Sequence, residues 1–171
     1  MCLDNICIGI YYACMASEEN RKLTPSDLES HIGYWMRRVS NHVSHTFRQR
    51  LESHGVTVAE WVALRSLYML EPCSVTDLAE QMGMDRGAAS RLADRLLKKG
   101  MATRVTAASD RRYVELELTH EGQSLVPVLA HEADLNDEHF FAQLPTEDMN
   151  ALLRILQTLV EQHGIKVKPT E

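Results

Sequence analysis

The sequence predicts a mainly α-helical protein with one small β-hairpin. Three observations lead there. Apolar residues recur at spacings of three and four through most of the chain, the pattern of amphipathic helices. A single stretch, from 101 to 118, alternates instead, as strands do. Hydrophobic residues make up 44% and aromatic residues only 6% of the 171, and strong helix formers dominate the rest. That length suits one compact domain with a helical extension.

Taken in order, a polar entry, Thr24-Pro25-Ser26-Asp27, leads into Ile32, Trp35, Val39, Val43, Phe47 and Leu51, the apolar stripe of a long helix. His54-Gly55 ends it. Thr57 with Glu60 forms a capping box that opens a second helix to about Leu70, which Glu71-Pro72 stops. Ser74 with Asp77 opens a short helix whose Val75, Leu78, Ala79 and Met82 face inward, and Gly83 permits a tight turn. Asp85 caps the next helix, Arg86 to Lys99, with Ala89, Leu92, Leu96 and Leu97 inward, Lys98 and Lys99 matched to the helix dipole and Gly100 as C-cap. A short helix, a glycine turn and a longer helix with small and basic residues at its start spell a helix-turn-helix.

Residues 101–106 and 112–118 then alternate, with Val114, Leu116 and Leu118 on one face. A hairpin placed directly after a recognition helix is a wing, and its tip carries Asp110, Arg111 and Arg112. Thr119 caps a further helix towards Gln143, and Leu144-Pro145-Thr146 separates it from a last helix, about Glu147 to His163. There Met149, Leu152, Leu153, Ile155, Leu156, Leu159 and Val160 make an apolar face broader than one small domain needs. Part of it packs on the chain's own core. The surplus, with the long first helix, reads as the seam of a symmetric homodimer. The expected organisation is an extension over 1–27, a first dimerisation helix over 28–55, a winged helix-turn-helix domain over 56–119, dimerisation helices over 120–164 and a tail over 165–171.

The formal net charge is −6, but from Asp85 to Arg112 eight Lys or Arg face three Asp, a net +5 that leaves −11 elsewhere. A basic island in an acidic chain is the footprint of a localised phosphate-binding surface, although an isolated charged run is more often a solvated helix face. Cysteines at 2, 7, 14 and 73 form no CxxC pair, which argues against a disulfide scaffold or zinc ribbon and fits a reducing cytoplasm. The opening MCLDNICIGIYYACMA lacks a basic leader, contains Asp4 and is too short to cross a bilayer. No membrane partner is expected, and the change of composition makes Met15 an alternative start.

The segment SVTDLAEQMGMDRGAASRLADRLLKKGMATRVTAASDRRYVELELTHEG, residues 74–122, resembles the core of the MarR family of bacterial regulators. RLADRLLKKG, a hairpin with DxR and then LTxEG form a compound motif, and the flanking helices extend the resemblance over roughly 28–163. The resemblance implies a triangular dimer with two winged domains at its base and interlocked terminal helices at its apex. A helix in the major groove reads base edges from its N-terminal half, which nominates Arg86, Ala88, Ser90 and Arg91 for groove contacts and Arg95 for phosphate. Ser74 and Thr76 start the preceding helix, where hydroxyls and N–H groups suit a phosphate or simply cap. In the family's wing motif the Asp orients an Arg into the minor groove; Asp110 and Arg112 match it, with Arg111 and Arg104 as backbone contacts. Asp94 resembles a carboxylate that braces nearby arginines.

Family members bind small phenolic or aromatic acids in a crevice beside the dimer helices, and Trp35, Arg38, His42, Trp61, Arg65 and Tyr68 are candidates to line one. Rings and a guanidinium accept a flat carboxylate. The plainer alternative makes both tryptophans core and the arginines surface. Cys73 is placed unlike the sensing cysteines of redox-responsive relatives and reads as buried and structural. His42 and His45 share a helix face without a third ligand, and His131-Glu132 lacks the second His of a zinc-peptidase motif. No cofactor or metal is expected, and no nucleophile–base pair or phosphate loop suggests an enzyme. The function expected is a DNA-binding transcription regulator, a homodimeric repressor of a pseudo-palindromic operator released by a small aromatic or phenolic effector. Alternatives are activation, a winged-helix protein-interaction module, or metal or redox sensing on the same fold.

Overall fold

A computed structural model describes residues 24–70, 72–106 and 113–170. The described residues divide into two units between Arg38 and Val39, inside the first long helix. In the first, Asp27 caps a 3-10 turn, Leu28–Ser30, ahead of helix α1, Ile32–Glu52. The capped entry therefore serves a separate turn, and the helix starts at Ile32 instead of directly after Asp27. Trp35 Nε1 donates to the Glu29 carbonyl at 2.8 Å.

The second unit continues with α2 (Val58–Leu70), α3 (Val75–Met82), α4 (Arg86–Lys98), β1 (Ala102–Thr106), β2 (Val114–Leu118), α5 (His120–Phe141) and α6 (Thr146–Gln162). Six helices and one antiparallel hairpin among the described residues make the mainly α fold with a wing that the sequence predicts. Ala102 pairs with Leu118 and Thr106 with Val114. Cys73 extends the hairpin, exchanging hydrogen bonds with Leu116 of 3.1 and 2.7 Å. Its burial agrees with a structural cysteine.

The core gathers Leu51 of α1, Leu64 and Leu67 of α2, Leu78 and Met82 of α3, Leu92 and Leu96 of α4, Leu116 of β2 and Leu129 of α5. Each such side chain stabilises the fold by about 1.5–3 kcal/mol on burial. Four predicted caps hold it in register. Thr57 Oγ1 accepts from Glu60 N while Glu60 Oε2 accepts from Thr57 N; Ser74 and Asp77 do the same. Asp85 accepts from Ala88 N at 2.9 Å and Thr119 from Gly122 N at 3.1 Å.

Several predicted limits move. Helix α4 ends at Lys98 with Lys99 as C-cap, because Gly100, at φ +70°, already turns the chain out. Strand β1 begins at Ala102 and β2 at Val114, whose side chain is exposed, unlike Leu116 and Leu118. Helix α5 stops at Phe141 and α6 runs one residue earlier at both ends than expected. Leu97 and Val75 are only partly buried against the core.

Candidate nucleic-acid interface and ligand pocket

The helix-turn-helix is α3, a left-handed Gly83 and α4. Ala89, Leu92, Ala93 and Leu96 lock one face of α4 into the core. The opposite face is therefore held outward. The open surface of the helix carries Arg86, Arg91 and Arg95, all exposed, with Ala88 and Ser90 half-buried. A Cβ on Gly87 would lie 3.5 Å from an Arg91 Nη1 atom, so this guanidinium reaches back over the first turn of the helix. At the start of α3, Thr76 is exposed, whereas the Ser74 hydroxyl donates to Asp77 Oδ2 at 2.7 Å. Asp77 thus engages Ser74 as a capping group.

Arg104 projects from β1 and donates to Asp94 Oδ1 at 2.9 Å, both side chains about half exposed. This ion pair is the brace expected of Asp94, now between the recognition helix and the wing strand. Asp110, Arg111 and Arg112 lie outside the described residues.

Arg95 Nε stands 3.8 Å from Glu60 Oε1. Glu60 is almost fully buried at 1% exposure, and its other oxygen accepts from Lys99 Nζ at 2.7 Å, which also donates to the Gly55 carbonyl at 2.7 Å. Burial raises the Glu60 pKa, but hydrogen bonds from Lys99 and the Thr57 backbone and the Lys99 charge outweigh it and hold it below the usual glutamate value. Lys99, assigned from sequence to the helix dipole alone, is thus an anchor between α4 and α2.

Of the six residues proposed for an effector, Trp35 and Arg38 belong to the first unit and the other four to the second, where they do not line a single pocket. Trp61 and Arg65, one turn apart on α2, line one pocket of about 290 Å³ with Val62, Ser66, Met69 and Gln81 of α3, and Lys168 from the end of the chain. Tyr68 lies under the Arg65 guanidinium, 5.9 Å from ring centroid to Cζ, and faces a separate hollow with His120 and Ser124. His42 meets the edge of Phe140. In the first unit, Arg38 stacks over Trp35 at 5.6 Å, and Trp35 is 44% exposed, which rules out the core role that was its plainer alternative. Trp61 is partly buried against the core. Among the described residues no group of three His, Cys, Asp or Glu could hold a metal ion, and no helix is long and apolar enough to cross a membrane.

The MarR family model matches residues 56–114. The fold is similar to that of Rhodococcus jostii CouR bound to p-coumaroyl-CoA, at 25% identity and a TM-score of 0.68, covering 79% of this chain and 95% of that one. It is similar to Bacillus subtilis YusO at 26% identity and 0.64, covering 78% and 95%. It also resembles Escherichia coli MarR at 21% identity and 0.64, covering 76% and 97%.

Residues 56–114 are a domain of the MarR family of transcriptional regulators.

Within this MarR domain, sequence reasoning missed the Glu60–Lys99 contact. Glu60 was visible only as a capping partner of Thr57. Nothing local pairs residues 39 positions apart. Outside the domain it missed Glu132 of α5, which accepts from Arg50 at 3.1 Å and His54 at 3.4 Å where α1 ends. The Arg50 hydrogen bond, then that of His54, holds the Glu132 carboxyl below its usual range. It also missed the contact of the carboxy-terminal segment with the MarR turn: the Lys168 N–H donates to the Met82 carbonyl at 3.2 Å.

Proposed function

We propose that the chain is a DNA-binding repressor acting as a homodimer on a pseudo-palindromic operator, with α4 in the major groove of each half-site and the wing at the minor groove. The observation that carries this is the three exposed arginines, Arg86, Arg91 and Arg95, on a helix whose buried side is locked into the core of a MarR domain. Arg86, Ala88, Ser90 and Arg91 are the groove residues of this reading and Arg95 a phosphate contact. Ser74, Thr76, Arg104 and Arg111 touch the backbone, and Arg112, oriented by Asp110, enters the minor groove. Residues 56–119 bind DNA, while 28–55 and 120–164 form the dimer. Such a protein works beside the chromosome, in the cytoplasm.

The effector of this reading is a small aromatic or phenolic acid. Two features support it: Trp61 and Arg65 share a concave pocket, and CouR, a structural neighbour, is bound to p-coumaroyl-CoA. Release of DNA follows from a preference of the acid for the state in which the two recognition helices miss consecutive grooves.

Fluorescence anisotropy with DNA from upstream of the chain's own gene, across a salt series, tests the DNA reading. Arg91→Ala should weaken binding by about 1–3 kcal/mol and relax discrimination at one base position. Arg112→Ala should lose a comparable amount and flatten the salt slope by about one ion. Binding to every fragment that is absent or insensitive to salt would overturn the proposal.

A further inference from the structure

We propose that the carboxy-terminal segment Ile165–Pro169 is a wall of the Trp61–Arg65 pocket, that Lys168 is a second cation for an aromatic carboxylate held there, and that its seat on the Gly83 turn carries occupancy to the helix-turn-helix. The proposal rests on the effector reading given above and adds to it a residue, a strap and a route. After α6, Gly164 adopts φ +59° and Ile165 N–H donates to the Val160 carbonyl at 3.0 Å. The chain thereby leaves the helix axis. It then passes against the turn of the helix-turn-helix: a Cβ on Gly83 would lie 2.6 Å from the Lys166 carbonyl oxygen and 2.9 Å from Val167 Cα. Only a glycine allows that approach. One residue later the Lys168 N–H donates at 3.2 Å to the carbonyl of Met82, the last residue of α3.

From this seat the segment reaches both hollows beside Trp61. Lys168 closes the one that contains Arg65, Ser66 and Gln81, and Pro169 lines a neighbouring apolar one with Phe47, Val58 and Trp61. An indole, two cationic residues and a side-chain amide around a space of about 290 Å³ suit one flat ring bearing a carboxylate: the ring packs on the indole and the charges meet the anion. The same backbone that presents Lys168 is hydrogen-bonded to the end of α3. A ligand that holds Lys168 therefore also holds the strap on the turn that aims the recognition helix.

The test is isothermal titration of the full chain with 4-hydroxybenzoate, and with neutral 4-hydroxybenzamide as control, alongside amide hydrogen exchange at Gly83 and Met84. Lys168→Ala removes the cation and keeps the N–H. Lys168→Pro removes both the cation and the N–H bonded to Met82. A chain ending at Gly164 removes the strap, and circular dichroism verifies that each variant is folded. The acid should bind the full chain at least about tenfold more tightly than the amide, and Lys168→Ala should raise its Kd by about tenfold. The shortened chain should lose at least as much. Ligand should slow exchange at Gly83 and Met84 in the full chain at saturation, but in none of Lys168→Ala, Lys168→Pro and the shortened chain. Equal affinity in the full and shortened chains overturns the role of the strap and leaves the effector reading standing. Failure of the full chain to bind the acid overturns the aromatic-acid reading itself and the Lys168 clamp with it. Unchanged protection in Lys168→Pro overturns the coupling to the turn.

Discussion

Gly122 sits in the first turn of α5, where a Cβ would collide with the carbonyl oxygen of Met101 and approach Leu118 Cδ2 to 3.3 Å. Replacing an ordinary helical glycine by alanine stabilises by about 1 kcal/mol. Here the sign reverses. Gly122→Ala should destabilise by about 1–3 kcal/mol, because the backbone between β1 and α5 must open against the Thr119 bonds to Gly122 N and to the Gly100 carbonyl at 2.6 Å. Urea denaturation checks it: a midpoint above that of the parent would show that the space is not closed. Thr119, Ser74, Asp85 and Thr57 were all legible in the sequence because each completes its bond within three residues. The reason for Gly122 was not, since its constraint comes from Met101, a residue in another element.

Between elements, the same limit separates what the sequence discloses from what only folding assembles. Hydrophobic period and turn chemistry place α2 to α6 and the hairpin to within a residue or two, and α1 except for its start. Contacts such as Glu60 with Lys99, Arg104 with Asp94 and Glu132 with Arg50 need two elements already side by side. Asp94 was recognised as a brace through the family resemblance, whereas Glu60 offered only its local cap. The wing arginines were read as a motif, and their geometry lies outside the described residues. Glu60 joins the start of α2 to the end of α4, and one of its partners, Lys99, reaches solvent at 36% exposure. Glu60→Gln leaves Lys99 hydrated instead of stranded, so the loss should be about 1–3 kcal/mol, below that of a fully buried pair. Its pH dependence follows from the lowered folded pKa. The contribution is complete above the ordinary glutamate pKa of the unfolded chain and is lost as the pH falls through the lower folded value. Thermal melts of parent and Glu60→Gln should therefore differ at pH 7 and converge in acid; a constant gap would show that the charge contributes nothing.

For the molecule as a whole, burial is uneven. The winged domain encloses its leucines, while no residue of α6 is buried and Leu153, Ile155 and Val160 are 56%, 50% and 46% exposed. At the other end of the chain Ile32 is 77% exposed and Val39 50%. Apolar faces of this kind are the expected seam of the proposed dimer. Leu153→Glu with Ile155→Glu should give a monomer by sedimentation, with the winged domain folded and operator affinity lowered by at least about a hundredfold, since one half-site contact set is lost. A dimer that survives both charges would place the seam elsewhere.

The open face of α6 has a further consequence, for gene dosage. If the chain pairs as proposed, the pairing of scarce protomers depends on encounter, and the population of pairs grows with the square of protomer number until association saturates. A repressor built this way would leave its operator almost vacant below a threshold abundance and fill it steeply above that. Around that threshold, doubling the copy number would raise the ratio of filled to vacant operator about fourfold, with no change in any contact to DNA.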